Sequence, residues 1–228
     1  MGADTTGQGL LVNPTAAAAQ KSVMDIILSS GPLGVGIIAI LMILSFMAVY
    51  IFIERYLTIS KAGSIDNAFM NNVRMAFQSG NLQGAKSLCQ SVDSPMARML
   101  EKGIARIGNE PERIEKEMEN IGKVELYKLE KNMSILSLIA RLSPMFGFVG
   151  TILGVIKIFY DISLTDNLSI GTISGGLYQK MITSATGLMV GIIAFVGYYI
   201  LTMKIDKVLN MMEKTSIEFL DFIQEPGK

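Results

Sequence analysis

The segment MFGFVGTILGV, residues 145–155, is almost entirely apolar, yet it contains three glycines and a threonine. A glycine in a helix interior costs up to about 1 kcal/mol relative to alanine, so three of them call for an explanation. Gly150 and Gly154 form a GxxxG pair, a spacing that lets two membrane helices approach closely in lipid. A second pair, Gly187 and Gly191, lies in a later apolar segment. The pattern predicts two membrane helices that pack tightly against each other. GxxxG spacing is common, and packing alone is enough to explain these glycines.

Three segments of the chain are long and apolar enough to cross a bilayer, which needs about 20 mostly apolar residues. Residues 33–53 and 181–203 contain no charged residue, and residues 138–156 contain only Arg141. Half of the 228 residues are hydrophobic, and the mean hydropathy is +0.43, which is high for an ordinary soluble domain. The sequence therefore predicts an all-α membrane protein with three transmembrane helices.

Basic residues near the spans predict the orientation of the chain, because Lys and Arg are concentrated on the cytoplasmic side of a membrane. They follow the first span, precede the second and follow the third, whereas the connection 161–175 contains none. We therefore expect the N-terminus to be periplasmic and the C-terminus cytoplasmic. The predicted segments are a periplasmic N-terminal segment 1–32, transmembrane helices 33–53, 134–160 and 176–203, a cytoplasmic helical region 54–133, a periplasmic loop 161–175 and a cytoplasmic C-terminal helix 204–228.

The region 54–133 contains 23 of the 40 charged residues, as expected of a hydrated segment. Turn signals fall at 79–81, 93–95 and 108–111, and Ser94 is placed to cap a helix that begins with Pro95. We expect one continuous helix from about 112 to 160 and another from 176 to 223. Together they would extend two membrane helices into a helical stalk in the cytoplasm.

Several polar residues lie inside the predicted spans and are candidates for an ion pathway. A single membrane hydroxyl usually bonds to its own helix backbone, but four of them on two helices that share GxxxG faces indicate a narrow polar path. Charged residues in spans are functional candidates by default, although long basic side chains near a span end also reach out to the interface. The candidate pathway residues are Thr151, Thr183, Ser184, Thr186, Gln179, Lys180 and Arg141.

The composition also excludes classes of function. The chain has no His, a single Cys89 and equal numbers of acidic and basic residues, so we expect no enzyme, metal site, cofactor or nucleic-acid partner. None of the three spans contains Asp or Glu. If the protein conducts protons, a partner helix must therefore supply the carboxylate that takes up and releases them.

Four stretches resemble the MotA/TolQ/ExbB proton-channel family, and ExbB most closely. SPMFGFVGTILGVIKIF (143–159) and GGLYQKMITSATGLMVGI (175–192) resemble the two signature spans of the family. SPMARMLEKGIARIG (94–108) and NLQGAKSLCQ (81–90) resemble its cytoplasmic region. Their order and spacing match over most of residues 33–220.

The resemblance implies a homopentameric ring in the bacterial inner membrane that encloses the single helices of ExbD-like partners. A partner aspartate would carry the protons, and the work would pass through a TonB-like protein to outer-membrane receptors. Thr151 matches the pore threonine, Ser184 falls where the family often has Thr, and Gln179 departs from a frequent Glu. The residues expected to pack the helices are Pro144, Gly147, Gly150, Gly154, Gly187 and Gly191.

Other functions remain open at this stage. A TolQ-like envelope-constriction motor or a gliding-type stator shares the membrane motifs, whereas a flagellar stator is expected to have a fourth span. A passive membrane scaffold predicts that the hydroxyls of Thr151 and Ser184 do not matter. A self-contained secondary transporter is disfavoured, because the chain shows neither an inverted repeat nor a central acid.

Overall fold

The computed structural model describes residues 31–63, 67–165 and 170–224, and every regular element in these ranges is an α-helix. The helices within the described ranges are seven, α1 (Gly31–Gly63), α2 (Asn67–Gln78), α3 (Leu82–Ser91), α4 (Pro95–Ala105), α5 (Pro111–Leu129), α6 (Met133–Thr165) and α7 (Ile170–Gln224). The prediction of an all-α protein is confirmed for these residues.

In the part of the chain that the structure describes, three helices are long and apolar enough to cross a membrane, namely those at Gly34–Gly63, Met133–Leu164 and Ile173–Gln224. They contain the three predicted spans. The predicted loop 161–175 is largely helical, because α6 continues to Thr165 and α7 begins at Ile170, and residues 166–169 lie outside the described ranges. Of the predicted N-terminal segment 1–32, residues 1–30 lie outside the described ranges.

Helix α7 is the element that joins the membrane spans to the rest of the fold. It has 55 residues and no interruption, which corresponds to about 82 Å at 1.5 Å per residue. It packs against α6 and α1, and further along against α4 and α5. Where it meets α4 and α5, buried apolar residues such as Val208 and Met212 contribute to the same core as Ile114 and Met118. The predicted helix 176–223 lies entirely within α7.

The expected continuous helix from 112 to 160 is corrected, because the structure interrupts it. Helix α5 ends at Leu129 and α6 begins at Met133, with Asn132 in the left-handed region at φ +64°. Asparagine adopts this conformation more readily than most residues other than glycine. The amide of Glu130 still donates to the Leu126 carbonyl, which closes the last turn of α5. Gly122 and Pro144 are among the residues of this stretch that least favour a helix interior, and the helices pass through both.

The turn signals of the hydrated region coincide with real helix boundaries. Ser94 is the N-cap of α4, since its Oγ accepts a hydrogen bond of 3.1 Å from the Ala97 amide, and Pro95 is the first helical residue. Gly80 and Gly108 have positive φ angles of 71° and 98° in two of the predicted turns. These turns fold α2 to α5 into a compact helical unit against α7.

Candidate functional site

Helices α6 and α7 are in direct backbone contact in the membrane, and glycines make this contact. A Cβ atom on Gly187 would lie 2.6 Å from the Ser143 carbonyl oxygen and 2.9 Å from Cα of Gly147. A Cβ atom on Gly147 would lie 3.0 Å from the Ser184 carbonyl oxygen. Real Cβ atoms essentially never approach other atoms within 3.0 Å. The glycines are therefore required by the distance between the two backbones.

A second close contact forms around Pro144, inside α6. Proline has no amide hydrogen, so it cannot donate to the carbonyl of Ala140 one turn earlier. Gly191 packs at this point, and a Cβ atom on it would lie 2.5 Å from Cγ of Pro144 and 3.0 Å from the Ala140 oxygen. The proline ring thus fits against the bare backbone of Gly191, which fixes the register between α6 and α7.

The GxxxG pair of α6 also faces α7. A Cβ atom on Gly150 would lie 3.2 Å from the methyl group of Thr183, and one on Gly154 would overlap the aliphatic stem of Lys180. The predicted packing residues thus all contact the facing helix, and Gly150 also approaches Ile37 of α1. Thr183 is 2% exposed within the chain.

The predicted pathway hydroxyls lie around this glycine contact, but they are not equivalent. Thr151 donates from Oγ1 to the Phe148 carbonyl at 2.6 Å, and Thr186 donates to the Ile182 carbonyl at 2.9 Å. Both therefore make the local bond expected of a single membrane hydroxyl. A hydroxyl oxygen that donates its proton can still accept hydrogen bonds, so these bonds leave both side chains able to receive one. Ser184 is half-buried beside Gly147.

The charged and amide candidates occupy different environments. Arg141 is exposed on the surface of the chain, whereas Gln179 and Lys180 are half-buried. The aliphatic stem of Lys180 lies across Gly154, and it can occupy this position only because Gly154 has no side chain. The structure therefore brings Lys180 to the α6–α7 contact and leaves Arg141 outside it.

An ion cluster around the buried carboxylate of Glu125, outside the membrane contact, was missed by sequence reasoning. Glu125 of α5 is 3% exposed and accepts hydrogen bonds from Arg98 Nη2 at 2.5 Å and from Lys128 Nζ at 2.7 Å. Burial alone would raise the pKa of Glu125, but the hydrogen bonds and charges of Arg98 and Lys128 outweigh it and lower the pKa. Lys128 lies three residues from Glu125, a helical spacing, whereas Arg98 lies 27 residues away. No sequence pattern therefore indicated Arg98.

Arg55 connects this cluster to the first membrane helix. It is 5% exposed, pairs with Glu54 and donates from Nη1 to the Lys128 carbonyl at 3.1 Å. This carbonyl belongs to the last turn of α5, where unpaired carbonyls favour a cation. The sequence indicated only that basic residues follow the first span, whereas the structure shows that Arg55 joins α1 to the end of α5.

The chain is similar to known membrane transport proteins in its sequence. Residues 91–214 match the model of the MotA/TolQ/ExbB proton channel family. A putative biopolymer transport protein ExbB-like 3 of Synechocystis is 29% identical over 69% of this chain and 76% of its own length. The biopolymer transport protein ExbB of Helicobacter pylori is 37% identical over 34% of the chain and 54% of its own length. The Tol-Pal system protein TolQ of Haemophilus influenzae is 27% identical over 42% of the chain and 41% of its own length.

Three helices among the described residues are able to cross a membrane, and two of them are joined through a glycine contact, which defines a helical membrane protein. The chain belongs to the MotA/TolQ/ExbB proton channel family, because the family model matches more than half of its length. Its similarity to the relatives named ExbB confirms the resemblance seen in the sequence. The match to the Helicobacter and Haemophilus relatives covers only about half of their length or less.

Proposed function

We propose that this chain is the ring subunit of a proton-driven motor in the bacterial inner membrane, with its N-terminus periplasmic and its C-terminus cytoplasmic. Five copies enclose an ExbD-like partner with a single membrane helix, and the motor energises a TonB-like protein for outer-membrane transport. The observation that carries the proposal is the glycine contact of α6 and α7, where Thr183 lies against Gly150 and Ser184 against Gly147, in spans that lack any carboxylate. Family membership and the ExbB-named relatives support it.

The chemistry of these spans indicates which groups the ring supplies and which group its partner must supply. A group that carries protons must change its charge, and hydroxyl and glutamine side chains do not titrate near neutral pH. Residues 134–160 and 176–203 contain no Asp or Glu. The ring therefore supplies hydrogen-bonding oxygens, at Thr151, Ser184 and their neighbours, and the partner aspartate supplies the titratable group.

Proton flux through vesicles that contain the ring and its partner tests this proposal. Thr151→Val keeps the branched shape and removes the hydroxyl, and Ser184→Ala removes the hydroxyl at the glycine contact. Removal of one hydrogen bond of about 1 kcal/mol should lower the flux about fivefold. The matched control is Thr202→Val, since Thr202 makes the same local bond, to the Tyr198 carbonyl at 3.0 Å, near the far end of the span. Unchanged flux in both pathway variants would favour a passive scaffold.

The assembly and the output are tested separately. The native mass of the purified protein should equal five chains and should increase by partner chains on co-expression. A monomer or dimer that ignores the partner would contradict the ring. Deletion of the gene should abolish energy-dependent uptake of iron complexes. Intact uptake combined with a defect in cell constriction would instead indicate a TolQ-like output, which the similarity to the Haemophilus protein makes the second candidate.

A further inference from the structure

A lateral pocket lies between α1 and α7, with Leu136 of α6 completing its lining. Its volume is about 340 Å³, and all its lining side chains are apolar. Six of the lining residues come from the facing turns of the two helices, namely Ala48, Val49 and Phe52 of α1 and Val196, Gly197 and Ile200 of α7. The pocket lies within two candidate membrane spans, where the abundant apolar molecule is the acyl chain of a lipid.

The floor of the pocket depends on a close contact between the two helices. A Cβ atom on Gly197 would lie 3.0 Å from Cδ2 of Phe52, so that the phenyl ring rests directly on the backbone of α7. On the open side, Val49 and Val196 are 46% and 50% exposed. Within the chain the pocket is therefore closed on the side of Phe52 and Gly197 and open on the side of Val49 and Val196, the shape that an entering acyl chain requires.

A fixed cation lies at the end of the pocket that faces the basic side of the spans. One helical turn beyond Phe52 and Ile200, the next residues on the same faces are Tyr56 and Lys204. The Lys204 ammonium lies 4.1 Å from the ring centroid of Tyr56 and donates to Ser60 Oγ at 3.1 Å. An ammonium group has three donors, so the bond to Ser60 leaves it able to bind a further acceptor.

We propose that this pocket binds one acyl chain of an anionic phospholipid, whose phosphate contacts Lys204. An apolar slot alone would not select any lipid, because lipid tails are as apolar as the side chains they meet. Selection comes from the cation at the rim, as in other basic pockets between membrane helices. The lipid would fill the gap between α1 and α7 at the depth where Arg55 joins α1 to α5. The site stands independently of the proposed motor function.

Native mass spectrometry of delipidated protein, titrated with phosphatidylglycerol or phosphatidylcholine, tests the proposal. Unaltered protein should hold one phosphatidylglycerol per chain and bind phosphatidylcholine about fivefold more weakly, as expected for one Lys at the membrane surface. Lys204→Gln should abolish this preference, and Lys204→Arg should keep it. Lys214→Gln is the matched control, because Lys214 lies ten residues further along α7, outside the pocket rim.

A second pair of variants tests the acyl slot itself. Val196→Trp places a ring in the open volume and should remove binding of both lipids, whereas Phe195→Trp makes a similar change at an exposed neighbour that does not line the pocket. Retained binding in Val196→Trp would refute the slot, and a preference unchanged by Lys204→Gln would refute the headgroup contact. If Val196→Trp lowered the oligomer mass but not the lipid content, the pocket would be an interface between copies, which also overturns the proposal.

Discussion

Gly187→Ala adds a methyl group at the point where α6 and α7 are in backbone contact. The new Cβ atom would lie 2.6 Å from the Ser143 oxygen, and Cβ atoms essentially never approach within 3.0 Å, so the helices must separate by about 0.4 Å. Both obstructing residues present backbone atoms, Ser143 its oxygen and Gly147 its Cα, so no side-chain rotation relieves the clash. Overpacking of this kind costs about 1–3 kcal/mol.

The helix propensity of alanine acts in the opposite direction. Replacing a helical glycine with alanine gains up to about 1 kcal/mol where there is room for the methyl group. Gly36 provides the matched control, since it lies in a membrane helix and a Cβ atom there would meet nothing within 4 Å. Gly36→Ala should therefore be neutral or stabilising, and Gly187→Ala should be about 1–3 kcal/mol less stable than Gly36→Ala.

The free energy of unfolding in mixed micelles, measured by titration with a denaturing detergent and helix content, decides between these outcomes. The expected order of stability is Gly36→Ala, then the unaltered protein, then Gly187→Ala. If Gly187→Ala were as stable as Gly36→Ala, the two backbones would not be in contact and the explanation of the glycines in 145–155 would fail. The same measurement on Gly122→Ala gives a control outside the membrane, because its nearest atom would be Met212 Cε at 3.9 Å.

Two further predictions concern the helical unit outside the membrane. The lowered pKa of Glu125 means that its stabilising contribution is present above the ordinary carboxyl pKa of 4.5 and is lost as the pH falls through the lowered value. Thermal midpoints between pH 7 and pH 3 should therefore fall less in Glu125→Gln than in the unaltered protein, and parallel curves would show that Glu125 does not contribute. Burial raises the pKa of the Cys89 thiol to about 11 from 9.0, so at pH 8 its thiolate fraction is about 100-fold below that of an ordinary thiol. Alkylation should be slower in the folded protein by at least this factor, and equal rates before and after unfolding would contradict the burial of Cys89.

Local sequence signals predicted the helices and their ends wherever the cause was local. The three spans follow from runs of apolar residues, and the start of α4 follows from Ser94 and Pro95, whose capping bond joins residues three apart. The prediction that glycines mediate helix contact also came from spacing alone. Spacing did not reveal which residue each glycine contacts, because Gly191 contacts Pro144, which lies 47 positions away in the sequence.

The sequence by itself thus determined that this is a helical membrane protein with glycine-bearing second and third spans, because hydropathy and glycine spacing are properties of a single continuous segment. Only the tertiary structure decided that α5 ends at Leu129, in a stretch rich in helix-forming residues. There the carbonyl of Lys128 is bound by Arg55, 73 residues away, and Glu125 is bound by Arg98. Such bonds depend on which surfaces meet after folding, and a periodic pattern carries no information about them.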